Sequence, residues 1–176
     1  MSSNRPVSVE VYTATHRILG RVLPGSGGLY SYLNLPTRSS IEIDGAHLTR
    51  LHQPGRLVAR YPQIWLAKDR IVAVLLSSRS EIGPVSIARG GYSTLIAHQV
   101  HILLEGYEIK GAMETPGKVD FSAILAEKET GFSPLLSARL EAVEFTDINA
   151  EAPAMLFNHT LVSGMTLLPR EDAAGQ

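Results

Sequence analysis

Two arginines four positions apart, in Arg56-Leu57-Val58-Ala59-Arg60, and the segment Ser78-Arg79-Ser80-Glu81-Ile82-Gly83 are where this chain offers a ligand the most. A guanidinium is planar, always charged, and can grip a phosphate with two parallel hydrogen bonds or stack on a base. The plain alternative is a pair of solvated arginines beside a Pro54-Gly55 turn and a polar strand end. The other reactive groups are scattered. His16, His47, His52, His98, His101 and His159 show no metal-ligand spacing. His98 and His101 are three apart on a predicted strand and so point to opposite faces. Glu105, Glu108, Glu114, Glu127 and Glu129 flank turns, where carboxylates are solvated. There is no cysteine, which removes thiolate chemistry and disulfides together, and no G-x-S-x-G elbow. The residues therefore predict no catalysis, no metal and no cofactor.

The R-x-x-x-R and S-x-S-x-x-G segments together resemble the paired signature of PilZ domains, β-barrels that bind cyclic di-GMP. That resemblance implies a site in which Arg56 and Arg60 clamp guanine and phosphate while Ser78, Ser80 and Gly83 cradle the rest. Ser78 stands where the signature carries an acidic or amide residue. RNA is a related candidate, because the first half also holds Arg17, Arg21, Arg38, Arg50, Arg70, Arg79 and Arg89. Yet the net charge of the chain is −1, its pI is about 6.6, and stacking aromatics are sparse, so a long polyanion is not favoured. The average conceals a split. Residues 1–91 hold 11 Lys/Arg against 5 Asp/Glu, and residues 92–176 hold 5 against 12. Opposite charge on the two halves favours their packing together, or head-to-tail association between chains.

The elements behind these residues read as strands. Val7, Val9 and Val11 alternate with Ser8, Glu10 and Tyr12, the period of a half-buried strand. A turn leads to a second strand over residues 17–23, and Pro24 to Gly28 breaks it. Leu29 to Asn34 has helical spacing and predicts one or two turns. Strands are predicted at residues 39–51, 63–67 and 70–77, the last two joined at Lys68-Asp69. This order recurs about 91 residues later: Val9 and Val11 fall on Val100 and Ile102, Gly20 on Gly111, Ala46 on Ala138, Leu66 on Phe157. The series predicts an internal duplication.

The L-x-x-Y-L-N turn at Leu29 to Asn34 and the ending from Ile64 to Val72 resemble a small bacterial β-barrel domain of uncharacterised function, similar in broad class to Sm-like and SH3-like barrels. The resemblance covers about residues 7–77 and 98–168. It implies an all-β chain of two small five-stranded barrel-like units packed into one body, each with a short helical turn between its second and third strands. The expected organisation is a disordered 1–6, a basic unit 7–77, a connector 78–97, an acidic unit 98–168 and a disordered tail 169–176. A unit of about 70 residues buries too little surface to stand comfortably alone, which is a reason to pair. Two questions stay open at this point: separate barrels or one joint sheet, and the oligomeric state. No apolar run approaches the roughly 20 residues of a membrane span and no signal peptide precedes the first strand, so a cytoplasmic location without membrane contact is expected. The functional expectation is a non-enzymatic binding or assembly module that meets a protein partner or its own copy, with nucleotide or RNA recognition as the alternative.

Overall fold

A computed structural model describes residues 5–85, 94–127 and 131–169. The protein is all-β. Strands β1 (Val7–Thr13), β2 (His16–Val22), β3 (Ser40–Arg50), β4 (Leu57–Ala67) and β5 (Ile71–Leu76) are followed by β6 (Ile96–Leu104), β7 (Tyr107–Thr115), β8 (Phe132–Ala142), β9 (Asn149–Asn158) and β10 (Val162–Leu167). A six-residue helix interrupts each set of five: α1 (Gly28–Leu33) between β2 and β3, and α2 (Phe121–Ala126) between β7 and β8. No helix among the described residues is long and apolar enough to cross a membrane.

All ten strands belong to one antiparallel sheet, ordered β10-β6-β7-β8-β9-β5-β1-β2-β3-β4. The left five run 10-6-7-8-9 and the right five run 5-1-2-3-4, the same order displaced by five strands. The halves therefore make one joint sheet, fused where β5 lies beside β9. Among the described residues neither half closes on itself by hydrogen bonds: β4 and β10 end the sheet.

The irregularities in the β2·β3 and β7·β8 ladders, between Leu19 and Arg21 and between Lys110 and Ala112, have local causes. In β3 the buried positions pass from Ile41 and Ile43 to Ala46, a change of phase at Gly45, whose φ is 58°. Ser137 takes the matching place in β8 with a φ of 46°, the one non-glycine in this region of backbone space among the described residues. Gly20 and Gly111 sit at those irregularities. A Cβ on Gly20 would stand 2.9 Å from the Asp44 carbonyl and collide with Ile43; one on Gly111 would stand 2.8 Å from both the Leu136 carbonyl and Leu135 Cγ.

Several boundaries depart from expectation. The fourth strand begins at Leu57, not residue 63. Pro62 reads as a strand breaker, yet an edge strand tolerates a residue that cannot donate to a neighbour. Tyr12, assigned to the polar face of β1, is 2% exposed, because the second half covers it. The sixth strand starts at Ile96, inside the expected connector, and the connector opens with a 3₁₀ turn at Arg79–Ile82. The expected disorder at 1–6 and 169–176 falls largely on residues 1–4 and 170–176, outside the described residues, as does the connector segment 86–93.

A candidate assembly interface

β5 and β9 show what a joint between halves requires. Their register pairs Ala73 with Phe157, Val74 with Leu156, Leu75 with Met155 and Leu76 with Ala154. All six residues of β5 are buried, because each face of this strand covers a different core. Ile71, Val74 and Leu76 line the first half's core, whereas Val72, Ala73 and Leu75 line the second's. β9 does the reverse, sending Met155 and Phe157 into its own core and Ala154 and Leu156 into the first half's. The side of β9 that turns away from its own core is thus the inside of its neighbour's.

Polar groups lock the same seam. The Tyr107 hydroxyl donates to the Thr13 carbonyl at 2.6 Å, and the ring meets Tyr12 edge to face at 5.9 Å between centroids. Burial raises the pKa of both phenols well above the ordinary value; for Tyr12 the hydrogen bond to Glu10 at 2.5 Å adds to it. Asn158 donates to the Ile71 carbonyl at 3.0 Å, and Asn34 exchanges two hydrogen bonds with the Phe132 backbone at 2.8 and 3.0 Å. Arg79 pairs with Glu114 at 2.6 Å.

The two strands at the ends of the sheet occupy the same places in strand order as β9 and β5, but with one neighbour each among the described residues. β4 is eleven residues long and mostly exposed. Trp65, the chain's one tryptophan, is 62% exposed there, with Leu57, Val58 and Tyr61 exposed on the same strand. Gln63 beside it hydrogen-bonds Glu42 and Asp44 of β3. β10 at the other end carries Ser163, Gly164 and Thr166 where β5 carries Val72, Ala73 and Leu75. Near the β1–β2 turn, His16 has its pKa lowered by partial burial and then by its electrostatic interaction with Arg50 and His52.

The residues singled out as a nucleotide site lie in two places. Arg56 is in the β3–β4 turn, its N–H bonded to the Gln53 carbonyl, and Arg60 is on β4 opposite His47 of β3. Both are exposed and neither is in an ion pair among the described residues. Ser78, Ser80 and Gly83 follow β5, from which β4 is separated in sheet order by β1, β2 and β3. Their polar groups have structural partners: Ser78 caps the 3₁₀ turn by accepting from the Ser80 N–H while Glu81 accepts from the Ser78 N–H at 2.9 Å, a capping box. Gly83, at φ 82°, lies so close to Gly28 that a Cβ on it would stand 2.6 Å from the Gly28 Cα. No hydrogen bond joins the two groups among the described residues.

A surface cleft of about 460 Å³ is lined by Ser137, Arg139, Glu151 and Pro153, and its Arg139 pairs with Glu141 at 2.8 Å and with Glu151 at 3.9 Å. His159 is buried, bonded to Ser133 at 3.1 Å and to the Glu127 carbonyl at 2.8 Å. Among the described residues no three His, Asp or Glu side chains gather in a metal-binding group. What sequence reading missed was the length of β4 and the openness of its edge. The signal was present in Pro62 and in the charged and polar run Arg60 to Gln63, features of a strand with one neighbour. Family models, curated proteins and solved structures alike gave no match to this chain.

Proposed function

We propose that this protein is a non-enzymatic assembly module, built by internal duplication, that binds by adding a strand to the open ends of its sheet. The observation that carries the reading is β4: an eleven-residue terminal strand, unpaired along one side among the described residues, with a tryptophan 62% exposed upon it. Unpaired N–H and C=O groups in a row are a template for another strand, and main-chain bonds supply affinity while alternate side chains supply selectivity. An exposed indole adds a large apolar surface that association would cover. The module acts in a bacterial cytoplasm and needs no cofactor.

Trp65 is also the reporter. Its emission should shift to the blue as protein concentration rises or a partner is added, because coverage removes the indole from water. Emission of an exposed indole at every concentration, with no added protein changing it, would contradict the reading. The alternative is nucleotide or RNA recognition by Arg56 and Arg60, exposed and outside any ion pair among the described residues. Cyclic di-GMP or a short RNA would then raise the melting temperature, by about 2.7 kcal/mol of stabilisation at a hundredfold excess over the dissociation constant.

A further inference from the structure

Resting on the assembly reading, we infer that the partner of β4 is β10 of a second copy, joined in the register of the internal β5·β9 seam. β4 and β9 are each followed at once by a 3₁₀ turn, Lys68–Arg70 and His159–Leu161, which fixes the correspondence residue by residue. Carrying the internal pairs across gives Leu66 opposite Gly164, Ile64 opposite Thr166, Trp65 opposite Met165 and Gln63 opposite Leu167. Antiparallel sense is preserved, and the same operation that relates the halves places the next copy.

Exposed apolar residues fall where this seam needs them. Trp65 is third from the end of β4, as Leu156 is of β9, and Leu156 is fully buried in the other half's core. Leu103, 41% exposed, is next to last in β6, as the buried Tyr12 is in β1. Val143, 57% exposed, follows β8 directly and donates its N–H to the Gly106 carbonyl; the buried Leu51 follows β3 and donates to the Thr15 carbonyl. Tyr12 and Leu51 belong to the core of the second half, across the internal seam. Thus three residues whose counterparts are covered by the neighbouring half are left in solvent, and one such interface would cover Trp65 of one copy together with Leu103 and Val143 of the next. Met165, already packed on the second half's core, lies on the side that Trp65 would enter.

Pro62 does not obstruct this. Its counterpart Pro153 sits immediately before the paired segment Ala154–Phe157 in the internal seam, so a proline at that position is compatible with pairing of the next four residues. The basic half of one copy would meet the acidic half of the next, repeating the arrangement within the chain. Such an interface is head-to-tail, and it generates a ring if the rotation closes and a filament if it does not.

The chain has no cysteine, so register can be read by introduced disulfides. In an antiparallel pair adjacent positions alternate between hydrogen-bonded and closer non-hydrogen-bonded pairs, so one of two neighbouring cysteine pairs has the shorter approach. Gln63→Cys with Leu167→Cys, and Ile64→Cys with Thr166→Cys, are expected to give covalent multimers on mild oxidation from at least one pair. Gln63→Cys with Thr166→Cys, displaced by one residue and pointing to opposite faces, should not. Circular dichroism on each variant certifies the fold, and the unmodified chain is sized alongside. Multimers of the unmodified chain without in-register cross-links would overturn this register while leaving assembly in place. A unmodified chain that stays single at all concentrations would overturn both.

Discussion

Single residues decide how closely neighbouring strands of this sheet can approach. Gly20 and Gly111 leave no room for a methyl group against the carbonyls of Asp44 and Leu136. Gly20→Ala or Gly111→Ala should therefore lower unfolding stability by about 1–3 kcal/mol in a denaturant titration, whereas Gly55→Ala, with nothing within 4 Å, should change it little. Both constrained glycines stood out in the sequence, because they fell at matching positions in the two halves. Their reason did not, since the pressing atoms lie on a different strand. Ser78, Ser80 and Gly83 teach the converse. Their spacing is that of a ligand turn, but the same hydroxyl and the same small residue also build a capped 3₁₀ turn packed on Gly28, and spacing alone does not separate the two. His16 carries a pH consequence. Its folded pKa lies below the ordinary 6.5, so on acidification the unfolded chain takes the proton first. Stability is then lost as pH falls below about 6.5 and levels off beneath the folded value. Replacing His16 with Gln should flatten that part of a melting-temperature profile.

At the scale of elements, period-two patterns predicted which segments are strands but not which strands meet. β5 reads as an unbroken apolar run, Ile71 to Leu76, and the reason is now plain: it is a shared wall with a core on either side. β9 reads the same way from Ala154 to Phe157. β4 and β10 have the mixed pattern of strands that lack a second neighbour, and β4 was read too short for that reason. Hydrogen exchange should reflect this ranking. Amides of β5 and β9 are expected to be the slowest in the molecule, since their hydrogen bonds lie between two cores. Amides of β4 and β10 should exchange fast in dilute solution and slow down as concentration rises. Leu156→Ala should cost about 2–5 kcal/mol, whereas Trp65→Ala, at the corresponding place on β4, should leave monomer stability nearly unchanged.

The whole molecule is one sheet with a seam in its middle and half a seam at either end. Composition indicated two halves of opposite charge, and the order of apolar positions indicated that they follow the same path. Whether they form separate bodies could not be read from either, because an inner face looks alike whichever half covers it. The charge split has its own consequence: association between copies brings the basic half against the acidic one, so raising salt from low to moderate ionic strength should weaken it, with the Debye length shrinking to about 8 Å at physiological salt. The most direct test of end-to-end pairing is the absolute mass of the native chain, measured by light scattering along a concentration series at low salt. The mass should rise from 19.1 kDa to multiples of it, and Trp65→Lys, which places a charge where the seam needs an apolar side chain, should hold it at 19.1 kDa with an unchanged circular dichroism spectrum. A mass fixed at 19.1 kDa for the native chain at every concentration would contradict the account.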